Sequence, residues 1–159
     1  MSAPAIILNE GAPADLGAVM AVMDDSFDAR FGEAWTRSQC AGLLPMPGVW
    51  LTLARKDERV VGFALARAIA GEAELLLLAV RGPIQRRGIG QLLLQRFEAD
   101  AGARGAARLH LEVREGNHAL GLYERAGFAL VGRRRNYYSG HGGTAYDALT
   151  LAKVPKREP

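Results

Sequence analysis

The sequence predicts an α/β (α+β) domain, a mixed sheet with helices on both faces, and three observations predict it. The run Glu74 to Val80 (ELLLLAV) is almost wholly apolar, the pattern of a central strand covered on both sides. A glycine-containing turn, an amphipathic stretch and an alternating strand follow it. That strand–helix–strand unit, residues 74 to 114, calls for parallel strands and a right-handed crossover. Upstream, two apolar runs flank Lys56-Asp57-Glu58, the pattern of an antiparallel hairpin.

The elements follow in order. Ala5 to Leu8 reads as a short first strand. Leu16, Val19, Met20, Met23 and Phe27 recur at helical spacing after Pro13 and Asp15, which predicts a first amphipathic helix. Thr36 can cap a second short helix to about Leu44, ended by Pro45 and Pro47. Val49 to Arg55 and Arg59 to Ala68 are the hairpin strands. The helix after the turn runs from about Gly88 to Gly102, with Ile89, Leu92, Leu93 and Phe97 as its core face. In the strand Arg108 to Arg114, Leu109, Leu111 and Val113 alternate with Arg108, His110, Glu112 and Arg114. A helix from about His118 to Ala126 ends at Gly127, suited to a left-handed position after the helix. Two more strands are expected near Phe128 to Asn136 and Ala145 to Lys153. Residues 1–153 thus read as one domain and 154–159 as a flexible tail.

Composition narrows the function classes. In 159 residues, 49% hydrophobic and 23% charged, there is room for one core and no sign of disorder. No apolar run approaches the ~20 residues that span a bilayer, and Met1 to Asn9 lack the pattern of a signal peptide, so a cytoplasmic protein with no membrane partner is expected. Cys40 is the only cysteine, and it reads as a small core residue rather than a nucleophile. His110, His118 and His141 show no metal-ligand spacing, and no metal is expected. Net charge is +3, compatible with a polyanionic ligand without identifying one.

Charge placement says more. Arg86 and Arg87 sit where a helix starts, although cations belong at the opposite end of a helix dipole. An anion there would satisfy both the arginines and the unpaired N–H groups of the first turn, and Gly88 and Gly90 would let it approach the backbone. A surface helix that merely begins with glycine is the plainer alternative. A Rossmann turn fits poorly, because the third glycine of G-x-G-x-x-G is missing, and no Walker Gly-Lys-Ser/Thr occurs.

The segment Glu72 to Asp147 resembles the GNAT acetyltransferase superfamily and, within it, the RimI group of ribosomal-protein-alanine N-acetyltransferases. Gln85-Arg86-Arg87-Gly88-Ile89-Gly90 matches the superfamily's Q/R-x-x-G-x-G/A turn. LEVREGN (Leu111 to Asn117), LYERAGF (Leu122 to Phe128), RRNYY (Arg134 to Tyr138) with Asp147-Ala148, and Ala34-Trp35-Thr36 are similar to RimI stretches. Departures are Arg81-Gly82-Pro83 in place of Asp-Pro, a spacing between Asn117 and Tyr123 one residue shorter, and Tyr146 before Asp147.

The resemblance implies a GNAT fold: a mixed, mostly antiparallel sheet of six to seven strands, about four helices, and splayed parallel central strands that hold acetyl-CoA as co-substrate. It assigns cofactor binding to Leu78, Ala79, Val80, Gln85, Arg86, Arg87, Gly88, Ile89, Gly90, Gln91 and Asn117. It implies that Glu112 is the general base and that Tyr123 protonates the departing thiolate. The backbone N–H of Val80 is a candidate to polarise the acetyl carbonyl. Acetyl transfer to an amine needs these functions, a neutral nitrogen, a polarised thioester and a proton for sulfur. Glu112 as a solvated strand residue and Tyr123 as a packing aromatic are the bland alternatives. The run Arg133 to Tyr138 has three readings: an exposed strand end, an RNA contact, or the wall of an acceptor-peptide groove. The resemblance favours the groove, with Trp35, Arg135, Tyr137 and Tyr138 as substrate contacts. Glu72, Glu74 and Glu115 could attract a cationic peptide N-terminus or be ordinary solvated charges. The expected partner is a ribosomal protein N-terminus, with the α-amine of alanine as acceptor; the alternatives are an acetyltransferase acting on another protein N-terminus, a lysine or a small amine, and a non-catalytic acyl-CoA- or RNA-binding module. Direct contact with nucleic acid is not required, and the sequence leaves the oligomeric state open with a monomer favoured.

Overall fold

The computed structural model describes residues 5–82, 88–140 and 142–155. Strand β1 (Ile7–Glu10) begins two residues later than the apolar run suggests, because its bounds come from pairing with β2 (Val49–Lys56), Ile7 opposite Arg55 and Glu10 opposite Thr52. Helix α1 (Leu16–Ser26) follows a short 3-10 turn at Pro13–Asp15. Helix α2 (Arg37–Leu43) starts at a capping box, in which Thr36 Oγ1 accepts from the Gln39 N–H and Gln39 Oε1 accepts from the Thr36 N–H.

β2 and β3 (Arg59–Ile69) form the expected hairpin. Its turn residues Asp57 and Glu58 both have positive φ, as a two-residue turn that follows the twist of the strands requires. β4 (Glu72–Val80), α3 (Ile89–Ala103) and β5 (Arg108–Arg114) are the strand–helix–strand unit. Helix α4 (Leu120–Arg125), β6 (Ala129–Ser139) and β7 (Ala145–Lys153) complete the chain. β6 continues three residues beyond Asn136 because a bulge, described below, restores its pairing with β7.

The seven strands form one sheet in the order β1-β2-β3-β4-β5-β7-β6. Every neighbouring pair is antiparallel except β4 and β5. Strand alternation divides the buried side chains between two cores. Trp50 and Ala54 of β2 join Ile89, Leu93, Phe97 and Tyr123 on the α3–α4 side, whereas Leu51 and Leu53 join Val19, Met23 and Cys40 on the α1–α2 side. Cys40 is a core residue whose thiol is pushed up by burial. On α3 the core face differs from the expected one: Leu94 and Ala101 are buried with Ile89, Leu93 and Phe97, while Leu92 is exposed. At roughly 100° per residue, 94 and 101 extend the arc begun by 89, 93 and 97, and 92 falls on its far side.

The feature that makes a site is where the parallel pairing stops. β4 and β5 are paired only from Glu72–Arg108 to Leu75–Leu111. On the other edge of β4, Leu65 lies opposite Leu77 and Ala66 opposite Leu75, so Leu76 is an extra residue. A bulge bends the strand that carries it. The ladder to β5 ends at this level, and the last residues of β4 and β5 border a cleft.

Candidate active site

The cleft has a volume of about 1040 Å³ and is lined by residues 74–80 of β4 and 111–114 of β5. That is at the upper end of the ~300–1,000 Å³ typical of small-molecule sites, suited to a long ligand with an acceptor beside it. Gly88, Gly90 and Gln91 line it at the start of α3, Asn117, Leu122 and Tyr123 around α4, and Phe31, Glu33 and Trp35 from the segment before α2. Tyr137 and Tyr138 line it from β6.

Most residues singled out from the sequence therefore meet in one place: Leu78, Ala79, Val80, Gly88, Gly90, Gln91, Glu112, Asn117, Tyr123, Trp35, Tyr137 and Tyr138. Gln85, Arg86 and Arg87 lie outside the described residues. Ile89 is 1% exposed and belongs to the core, so only its backbone could serve a ligand. Arg135 is exposed and is not among the residues lining the cleft. Among the described residues no group of three His, Cys, Asp or Glu side chains could hold a metal ion, and no helix is long and apolar enough to cross a membrane.

The start of α3 fits an anion. Gly88 has φ of 79°, a left-handed conformation, and open space where a Cβ would stand. Among the described residues no side chain caps the helix, and the N–H groups of a first helical turn are suited to a phosphate. Val80 and Gly82 are held from α1: Asp25 Oδ2 accepts from the Gly82 N–H at 3.0 Å, and Ser26 Oγ donates to the Val80 carbonyl at 2.9 Å.

Glu112 is on the polar face of β5, opposite Leu111 and Val113, and its Oε1 is 2.8 Å from Arg134 Nε. Tyr123, on α4, is 6% exposed and packs edge-on to Phe128 with ring centroids 6.2 Å apart. The turn after α4 fixes it: the Phe128 N–H donates to the Tyr123 carbonyl at 3.1 Å, and Gly127 has φ of 98°, as expected for its position. Burial pushes the Tyr123 phenol well above its ordinary value, and the charge of Glu33 and then Tyr138 add to the rise. Burial thus favours the neutral phenol. Tyr138 is raised likewise, by burial first and then by Glu112 and Glu33.

Sequence reading missed Glu33, which organises one wall of the cleft. Its Oε1 is 2.6 Å from Arg114 Nε, and its Oε2 accepts from Asn117 Nδ2 at 2.5 Å. The Arg114 and Glu33 side chains are only 8% and 10% exposed. The Arg114 guanidinium also lies 3.6 Å from the centre of the Phe31 ring. Arg114 belongs to the polar face of β5, yet these partners bury it. A Cβ on Gly32 would overlap the Ser139 carbonyl, so this segment also packs backbone to backbone on the end of β6. The lone signal in the sequence was a charged pair 81 positions apart, which no local pattern joins.

Asn117 is correspondingly engaged: besides Glu33, its Oδ1 accepts from the Ala119 N–H at 2.7 Å, which leaves one amide hydrogen and one lone pair for a ligand. Arg114→Met leaves the nearly buried Glu33 carboxylate with the Asn117 hydrogen bond but without its counter-charge and is expected to cost about 3 kcal/mol, whereas Glu33→Leu with Arg114→Met should recover most of it. Urea titrations of the two single variants and the double variant measure this.

Comparison with known proteins agrees with the geometry. The sequence profile of the acetyltransferase (GNAT) family matches residues 17–128. The chain is 39% identical over 100 residues to the ribosomal protein bS18-alanine N-acetyltransferase of Salmonella typhimurium, covering 60% of this chain and 68% of that one. It is 36% identical over 97 residues to the enzyme of the same name from Haemophilus influenzae, covering 61% and 66%. These matches span about two thirds of each relative. The crystal structure of the ribosomal-protein-S18-alanine N-acetyltransferase from Escherichia coli superposes with a TM-score of 0.85 at 27% identity, over 98% of this chain and 97% of that one. The chain belongs to the GNAT family of acetyl-CoA-dependent N-acetyltransferases.

Proposed function

We propose that this protein transfers the acetyl group of acetyl-CoA to the N-terminal α-amine, that of alanine, of a small-subunit ribosomal protein. The observation that carries the reaction is that Glu112 and the buried Tyr123 line one cleft beside the splay of β4 and β5. The acceptor is supported by the relatives named for bS18 alanine and by Tyr137 and Tyr138 in the same cleft.

The residues divide the work as follows. The start of α3 at Gly88 and Gly90, with the backbone of β4, receives the donor's pyrophosphate and arm. An α-ammonium has a pKa of about 8, so near neutrality most of the acceptor must lose a proton before it can attack. Glu112 accepts that proton. As nitrogen bonds to the carbonyl carbon and the carbon–sulfur bond breaks, the Tyr123 hydroxyl supplies the proton that sulfur takes, and the second proton shed by the nitrogen as it becomes an amide restores the phenol. All these groups come from one chain, so the proposal requires neither a second copy nor RNA, and it places the enzyme in the cytoplasm, where ribosomal proteins are made.

The test is a panel of peptides that differ in their first residue, incubated with the protein and acetyl-CoA and read by mass spectrometry. Faster acetylation of an alanine-starting ribosomal peptide than of other N-termini is expected. Preference for a lysine side chain or a small amine would overturn the acceptor assignment while leaving the family unaffected.

A further inference from the structure

We propose that Asp147 is a positioning residue for the acceptor half of the site: its carboxylate holds a bulge in β6 that delivers Tyr137 and Tyr138 to the cleft. The proposal rests on the reading that Tyr137 and Tyr138 meet the acceptor.

The bulge is visible in the register of β6 on β7. Arg134 lies opposite Ala148 and Tyr138 opposite Tyr146. Between these pairs β6 has three residues, Arg135, Asn136 and Tyr137, and β7 has one, Asp147. Asn136 takes a left-handed φ of 53°, a conformation that asparagine tolerates better than other residues with a side chain. β6 is the last strand of the sheet, so no further strand steadies the bulge from outside.

The Asp147 side chain supplies what the sheet does not. Its Oδ1 accepts from the Asn136 N–H at 3.0 Å, and its Oδ2 accepts from Arg133 Nη1 at 2.7 Å. One carboxylate thereby joins the residue before Arg134 to the residue before Tyr137. The Asn136 N–H, and then Arg133, hold the Asp147 carboxyl below its usual range, so it stays charged near neutrality. Asp147 is anchored in turn: its carbonyl accepts from the Glu115 N–H at 3.0 Å, three residues beyond Glu112. Arg133 also meets Glu115 Oε2 at 2.5 Å.

The bulge separates two groups of the acceptor side. Before it, in regular pairing, Arg134 Nε stands 2.8 Å from Glu112 Oε1. The rings of Tyr137 and Tyr138 meet edge to face with centroids 5.0 Å apart, and both line the cleft. In a regular strand Tyr137 and Tyr138 would point to opposite faces. The bulge is what lets consecutive tyrosines serve one cleft. The acidic residue that follows RRNYY in the sequence thus acts on the site through the backbone.

The experiment compares the full-length protein with Asp147→Ala and Asp147→Asn, using acetyl-CoA and an alanine-starting peptide. Asp147→Ala should raise the acceptor KM about tenfold or more, since small displacements of positioning groups are costly, and leave the acetyl-CoA KM within about twofold. Asp147→Asn keeps an acceptor for the Asn136 N–H and should raise the acceptor KM only about threefold; it carries the test if the alanine variant does not fold. Equal rises in both KM values, or no rise in either, overturn the proposal. Tyr138→Ala is the parallel variant. An acceptor KM raised by Tyr138→Ala but unmoved at Asp147 overturns this proposal alone, whereas no effect of Tyr138→Ala overturns the acceptor reading and this proposal with it.

Discussion

Glu112→Gln should lower kcat at pH 7 by roughly 10²–10⁴-fold, the range for loss of a positioned proton acceptor. The substitution keeps the volume of the side chain and removes only its basicity. The ion pair it breaks, with Arg134, contributes little to stability because the Arg134 side chain is 62% exposed; such pairs are worth about 0–1 kcal/mol. The thermal midpoint and the acetyl-CoA KM should therefore stay near those of the parent. The defect should also shrink as pH rises toward about 8, where the α-amine loses its proton to water without assistance. Steady-state kinetics across pH 6–9 measure both effects, and an unchanged kcat at pH 7 would remove Glu112 from the reaction.

Tyr123→Phe should have the second largest effect, and a smaller one. The leaving group is a thiol, whose pKa is about 8.5, so its anion departs with less need of a proton than an alkoxide would have. A fall in kcat of about 10–10²-fold is expected, the lower end of proton-transfer effects. The ring stays in place against Phe128, so folding should be little altered. The pH behaviour follows from burial, which favours the neutral phenol, with Glu33 second. A phenol whose value is raised on folding contributes stability that is complete below its unfolded value of about 10 and is lost as pH rises above it. Tyr123→Phe should thus lessen the loss of stability above pH 10. The parent's kcat should show no alkaline limb at the ordinary phenol value. Stopped assays for free thiol and urea titrations at pH 8 and pH 11 check these outcomes.

What the sequence disclosed was local. The apolar run of β4, the glycines at 88 and 90, the alternation that faces Glu112 away from Leu111, and Gly127 after α4 are short-range patterns, and each is where the pattern implies. What it did not disclose depends on residues distant in the chain. The splay follows from one extra residue, Leu76, measured against a partner strand, and an apolar run carries no mark of its register. Arg114 reads as one more polar residue of an alternating strand, and becomes buried only when Glu33, 81 positions away, folds over it. Arg135 and Tyr137 look equivalent by alternation, yet the bulge closed by Asp147 leaves the first in solvent and brings the second to the cleft. Leu92 and Leu94 differ only in angle around α3, which becomes decisive once the sheet defines the buried side.

The central claim is that this cleft brings a peptide α-amine to acetyl-CoA with Glu112 as base. The most direct measurement uses one peptide that offers both an N-terminal alanine amine and an internal lysine, incubated with acetyl-CoA and either the parent protein or Glu112→Gln, with the acetylated nitrogen located by fragmentation in the mass spectrometer. Acetyl on the α-nitrogen alone is expected with the parent, and slower formation of that same product with Glu112→Gln. Acetyl on the lysine, or equal rates from the two proteins, would contradict the claim.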